Sequence, residues 1–174
     1  TINAVYFEAT AWFSLKKYTR ARTIFSTIIE ENRSERITEI AYYQKADCRY
    51  FSAFEAPESR RDALFKRAVR EYQAYLDTYP EGTYRPRALY MQGNCYWTLQ
   101  DFRNAGKKFQ RVVSEYPQFG DICNAKNFLA FSLDRLGQWE KALSLYNEVR
   151  TAGGCPASAR KFAADKREGI LTAH

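Results

Sequence analysis

The chain has 174 residues, 45% of them hydrophobic and 27% charged, with a net charge of +7. That composition excludes a disordered polar chain and is large enough for one globular domain with a real core. No apolar run approaches the roughly eighteen residues of a membrane span, and glycine and proline cluster between periodic segments, which argues for helices over strands.

Taken from the start, "TINAVYFEAT" already has helical periodicity and reads as the middle of an amphipathic helix. That reading makes the chain a piece of a longer one, so targeting is not legible here. Further along, Ala21, Phe25 and Ile28 begin a pattern of alanine, aromatic and bulky residue. It returns at Ala68, Tyr72 and Tyr75, at Ala105, Phe109 and Val112, and at Ala142, Tyr146 and Val149. The small residues Ala9, Gly93 and Ala130 precede three of these alanines by the same distance, each followed by a large residue, Trp12, Tyr96 or Leu133. Three columns in phase are a repeat. Each unit reads as two antiparallel helices, A then B, whose small residues let the backbones approach, and such pairs bury both faces only by stacking.

The boundaries follow from the breakers. Pairs are expected over residues 2–34, 39–81, 86–118 and 123–155, with a closing helix over 157–172. Tyr79-Pro80 and Tyr116-Pro117 end B helices, Gly137 separates A from B in the last pair, and an A helix starts near Arg85–Pro86. The second pair carries an insert near residues 54–66, expected to lengthen both of its helices and to offer an edge surface. Within the insert, Ser59 with Asp62 resembles a helix N-cap. Arg49 stands where the large apolar residue belongs, which puts that helix's register in question. Phe162 and Ile170 are expected to dock the closing helix, with Arg160, Lys161, Lys166 and Arg167 in water.

These columns resemble the tetratricopeptide repeat (TPR) along nearly the whole chain, best in "ALYMQGNCYWTLQDFRNAGKKFQRVVSEYP" (Ala88 to Pro117). The resemblance implies an all-α, right-handed αα-superhelix of four pairs plus a cap, a single domain over 1–174. The junction "YPEGTYRPRA" with its 37-residue period further resembles bacterial envelope TPR proteins of the BamD or YbgF/CpoB type. That finer likeness implies a periplasmic or outer-membrane-associated scaffold, reaching the membrane only through a lipid anchor or a complex. A cytoplasmic location is the alternative.

In such arrays the A helices present a recognition stripe. Rotating by about 100° per residue from the small column gives Tyr6, Thr10 and Phe13, then Tyr43, Asp47 and Tyr50. It continues with Tyr90, Asn94 and Trp97, then Asn127, Phe131 and Asp134. Aromatics beside short polar groups suit a protein or peptide partner, with Tyr43, Tyr90, Asn94 and Trp97 the central candidates. The competing expectation is that the rings pack between helices or beneath the closing helix. The Lys-bearing carboxylate clamp of TPR co-chaperones is absent, because no lysine occurs in the stripe.

A second surface is basic: Arg60, Arg61, Lys66, Arg67 and Arg70, then Arg103, Lys107, Lys108 and Arg111. A solvated face is the plainer reading; electrostatic binding of nucleic acid or anionic membrane is the functional alternative, and an oligomerising or spacer module a third. Cys48 and Cys95 share a helical position and read as buried, inert thiols, while Cys123 and Cys155 near pair boundaries leave disulfide pairing open. No metal-ligand spacing, phosphate loop or nucleophile elbow occurs, and the single histidine is His174, so no cofactor, metal or enzyme chemistry is expected.

Overall fold

The computed structural model describes residues 1–173, and His174 lies outside them. Among the described residues every element is an α-helix: α1 (Ile2–Ser14), α2 (Tyr18–Glu31), α3 (Glu35–Glu55), α4 (Glu58–Thr78), α5 (Arg85–Thr98), α6 (Phe102–Glu115), α7 (Ile122–Arg135), α8 (Trp139–Thr151) and α9 (Ala157–Ala173). The chain forms two compact units, Thr1–Cys95 and the residues from Tyr96 onward. In the first, α1 packs on α2 and α3, α2 on α3, and α3 on α4. In the second, α6 packs on α7, α7 on α8, and α9 on both α7 and α8.

The sequence columns are the core. Ala9, Ala21, Ala46, Ala68, Ala105, Ala130 and Ala142 have no exposed surface at all. With only a methyl group at each, paired helices approach until the neighbouring large side chains close the gaps. The aromatic column (Phe25, Tyr72, Phe109, Tyr146) and the bulky column (Ile28, Tyr75, Val112, Val149) are buried throughout. Burying each of these side chains contributes on the order of 1.5–3 kcal/mol.

One column carries a sequence signature at only one of its three positions. Lys16, Gln100 and Gly137 all have positive φ, at 58°, 57° and 75°, and each stands seven residues after the small residue of its A helix. Each ends that helix with the same bonds. The amides of Lys17, Asp101 and Gln138 donate to the carbonyls of Trp12, Tyr96 and Leu133, each at 2.9 Å. Those of Lys16, Gln100 and Gly137 donate to Phe13, Trp97 and Asp134 at 2.9–3.0 Å. This is the Schellman motif, which absorbs carbonyls that a helix end leaves free. Only Gly137 announces it, since the other two accept the left-handed backbone at a cost of roughly 1 kcal/mol each.

In the second pair both helices run to 21 residues against 13 or 14 in α1, α2, α5 and α6. The extra two turns each extend the α3–α4 hairpin by roughly 10 Å. The expected cap at Ser59 is corrected: Pro57 occupies the N-cap, no side chain caps the helix, and Ser59 lies inside the first turn. Arg49 keeps its register. Ala46 before it is buried, and the Arg49 guanidinium lies 3.3 Å from Glu71, which also binds Arg22 at 2.6 Å. A shared carboxylate between two half-buried guanidiniums replaces the apolar residue of the other pairs.

The junction after α4 explains "YPEGTYRPRA". Glu39 of α3 accepts from the Thr83 amide at 2.7 Å and from the Tyr75 hydroxyl at 2.9 Å, and that hydroxyl accepts from the Tyr84 amide at 2.9 Å. Gly82 fits beneath: a Cβ there would lie 2.5 Å from the Tyr75 Oη and 2.8 Å from the Tyr79 Cβ. Gly82→Ala is therefore expected to destabilise the first unit by about 1–3 kcal/mol in urea denaturation, through overpacking. An unchanged midpoint would mean the junction yields freely.

Candidate functional site

The A-helix stripe was expected to offer its rings, and the structure places most of them in packing. Tyr43 is buried, stacked on Tyr84 at 5.1 Å and 10°, with Tyr72 and Tyr75 at 6.1 Å. Tyr90 is buried too. Asn127 is buried beneath the closing helix, its amide donating to the Ala159 carbonyl at 2.9 Å. All three were expected at the recognition surface and all three are buried; Tyr43 is covered by Tyr84 and Asn127 by α9.

The remaining members are half-buried. Phe13 meets Tyr18 and Phe51 edge-on, and Tyr50 meets Phe51, Phe54 and Phe65 in the same way. In the second unit Trp97 leans on Phe128 and Phe131, and Lys166 lies 5.2 Å above the Phe131 ring. Lys166 thus joins the closing helix to the stripe while staying exposed, as Arg160 and Lys161 do, whereas Arg167 is half-buried. Asn94 keeps part of its surface.

Asp47 is the electrostatic centre of the first unit. The Tyr72 and Tyr43 hydroxyls bond to its carboxylate. Burial is the larger effect and pushes the carboxyl up to about 6, against the hydroxyl bonds and the Arg87 guanidinium, which hold it down. The same enclosure pushes the Cys48 thiol up to about 12 and the Cys95 thiol further, and both side chains are buried and unbridged. They are protonated, inert thiols at neutral pH.

One accessible surface on the A helices of the first unit lies between the N-terminal halves of α1 and α3. A cavity of about 370 Å³ opens there, lined by Asn3, Tyr6, Phe7, Arg36, Ile37 and Ile40, with Ser34 at its end. Phe7 is 67% exposed, and its ring stands 5.9 Å from that of Tyr6. Gln44 of α3 bonds to the Tyr6 hydroxyl, whose pKa burial raises. Tyr6 is therefore held as one wall. Sequence reading found Tyr6 but missed Phe7, one position outside the stripe, together with the aliphatic wall from α3.

The α4 cations Arg60, Arg61, Lys66, Arg67 and Arg70 are all exposed. The α6 cluster is divided: Arg103 and Lys107 are exposed, whereas Lys108 and Arg111 are half-buried. Arg111 is also paired with Glu115 at 2.7 Å and 3.0 Å, which removes it from a free basic face. Cys123 at the start of α7 and Cys155 before α9 form a disulfide, with their Cα atoms 5.7 Å apart. Among the described residues no group of three or more histidine, cysteine or acidic side chains could hold a metal ion, and no helix is long and apolar enough to cross a membrane.

Comparison with known proteins agrees with this architecture. Residues 87–118 match the tetratricopeptide repeat family model. No curated protein matches the sequence significantly. Among solved structures, MamA (41-end) from Desulfovibrio magneticus RS-1 is similar at 19% identity and a TM-score of 0.65, over 86% of this chain and 73% of that one. A thermophilic TPR protein of Thermus thermophilus is similar at 14% identity and a TM-score of 0.67, over 99% of this chain and 82% of that one. The putative kinesin light chain TPR-like repeats of Podosopora anserina give 12% identity and a TM-score of 0.69, over 99% and 86%. At these identities the likeness concerns the fold. The described residues have the fold of tetratricopeptide-repeat structures, helix pairs followed by a capping helix, and residues 87–118 are the copy that the family model itself matches.

Proposed function

We propose that this chain is a non-catalytic protein-interaction scaffold that binds a protein or peptide segment on the A-helix surface of its first unit. The observation that carries this reading is the α1–α3 cavity, where Phe7 stands exposed beside Tyr6, Ile37 and Ile40, with Asn3 and Arg36 at hand. Apolar walls with a few polar groups suit a partner side chain entering from outside. The half-buried rings of Phe13 and Tyr50 and the amide of Asn94 would add peripheral contacts.

We place this scaffold in an oxidising compartment, the bacterial periplasm or outer-membrane face. The Cys123–Cys155 disulfide supports that placement, since such bonds persist where thiols are not kept reduced. The envelope resemblance of the junction points the same way.

A second reading rests on the five exposed cations of α4, which suit an anionic membrane or nucleic acid. Salt separates the two. In capture from envelope extract, a partner held by the α1–α3 cavity is expected to survive high salt and to be lost with Phe7→Glu, an exposed substitution that leaves the circular dichroism unchanged. Partners that wash away as salt rises, with Phe7→Glu indistinguishable from wild type, would transfer the function to α4.

A further inference from the structure

The second unit contains a larger cavity, about 450 Å³, formed by α6, α7 and the start of α8. Leu129, Leu133 and Leu136 of α7 and its cap give it an apolar lining. Around them stand cations: Arg103 and Lys107 one turn apart on α6, and Lys141 in the first turn of α8. No carboxylate is among the residues that line it. The Lys141 ammonium donates to Gln138 Oε1 at 3.0 Å, a neutral acceptor that leaves its charge uncompensated.

Gly106 gives the cavity its depth. It lies between the two α6 cations, and a Cβ there would already stand 3.4 Å from the Ser132 Cβ, so α6 runs close against α7. Any longer side chain would have to fit against Ser132 of α7. Beyond Gln138 and Lys141 the surface continues into a second hollow of about 300 Å³ that includes Trp139, which like Leu136 is exposed, and Glu140, whose carboxylate confines the uncompensated positive charge to the first hollow.

Positive charge around leucines asks for a ligand that is acidic and apolar at once. A free phosphate would leave the leucines wet, and a nucleic-acid backbone would cover them with charge. The two adjoining hollows are longer than a compact anion and fit an extended chain. We propose that this cavity docks an acidic peptide segment, which seats one Leu- or Phe-sized side chain on Leu129, Leu133 and Leu136 while its carboxylates meet Arg103, Lys107 and Lys141. This rests on the scaffold reading and adds to it a docking site of stated chemistry, separate from α1–α3.

The test is an amide NMR titration of the whole chain with three blocked peptides: Glu-Glu-Phe-Glu-Glu, Glu-Glu-Gly-Glu-Glu and Lys-Lys-Phe-Lys-Lys. The first is expected to shift amides around Gly106, Leu133 and Gln138, the second to bind at least about tenfold more weakly, and the third to leave them unmoved. Arg103→Glu with Lys107→Glu, both exposed, should weaken the first peptide by at least about tenfold while the rest of the spectrum keeps its positions. Leu136→Ala should weaken it without changing any charge. Equal binding of the first two peptides would overturn the proposal, as would shifts lying elsewhere or a charge-reversed variant that binds normally. A soluble short-chain phosphatidic acid that moves these amides when the acidic peptides do not would overturn it in favour of a lipid. The titration reads α6 to α8 and the capture experiment reads α1, so either reading can fail without the other.

Discussion

Cys123→Ser is expected to lower the stability of the second unit by about 3–4 kcal/mol in urea denaturation, and a reducing agent should do the same to the wild type. The bridge spans a sequence separation of 32, and closing a loop of that length removes much of the unfolded chain's freedom. Its position concentrates the effect. Cys155 lies in the Gly-Gly-Cys-Pro link before α9, and α9 contributes Ala159, Ala163 and Ile170 to a core shared with Ala142, Tyr146 and Val149. Without the bridge α9 is held by those contacts, by the Asn127 bond and by the ring contacts of Phe162 and Lys166, with no covalent tie, so hydrogen exchange should rise first in α9. Protection lost evenly over the second unit would mean that the disulfide tethers no particular helix.

Asp47→Asn is expected to stabilise the chain at pH 8 by about 1–3 kcal/mol and to do nothing at pH 4. The folded chain holds the Asp47 proton more tightly than the unfolded chain does, because burial raises its carboxyl from 3.8 to about 6. Its contribution is therefore most favourable below about pH 4, declines as pH rises towards 6, and is constant above that. The full decline corresponds to about 3 kcal/mol, and solvent reaching the carboxylate would reduce it. Asn keeps an acceptor for the Tyr72 hydroxyl but carries no charge to bury. Denaturation of both proteins at pH 4, 6 and 8 isolates this one group from the other carboxylates. Parallel curves for the two would show that Asp47 is not enclosed as described.

The repeat was legible because its physics is local. Two backbones approach only where side chains are small, so Ala9, Gly93 and Ala130 recur in phase with Ala21, Ala105 and Ala142, while the insert sets Ala46 and Ala68 further apart without exposing either. The left-handed helix ends at Lys16 and Gln100 were not legible, since neither residue is glycine and only the bonding pattern marks them. Arg49 looked like a register error because its partners, Glu71 and through it Arg22, lie on two other helices. Nor could spacing say which two of the four cysteines meet. The site was read least well. Rotation about a helix finds the face beside the core, but not the segment that returns across it. Tyr84 covers Tyr43, and α9 covers Asn127. Phe7 went unnoticed for the converse reason: nothing in one helix's periodicity tells that Ile37 and Ile40 stand opposite it.

The central claim, that a partner docks on the A-helix surface of the first unit, is tested most directly by photocrosslinking. A benzophenone amino acid would replace Phe7 on α1, and in a parallel protein the exposed Thr27 on α2. Irradiation in envelope extract followed by denaturing electrophoresis is expected to give a discrete adduct from position 7 and none from position 27. Adducts from position 27 alone, or the same adducts from both, would contradict it.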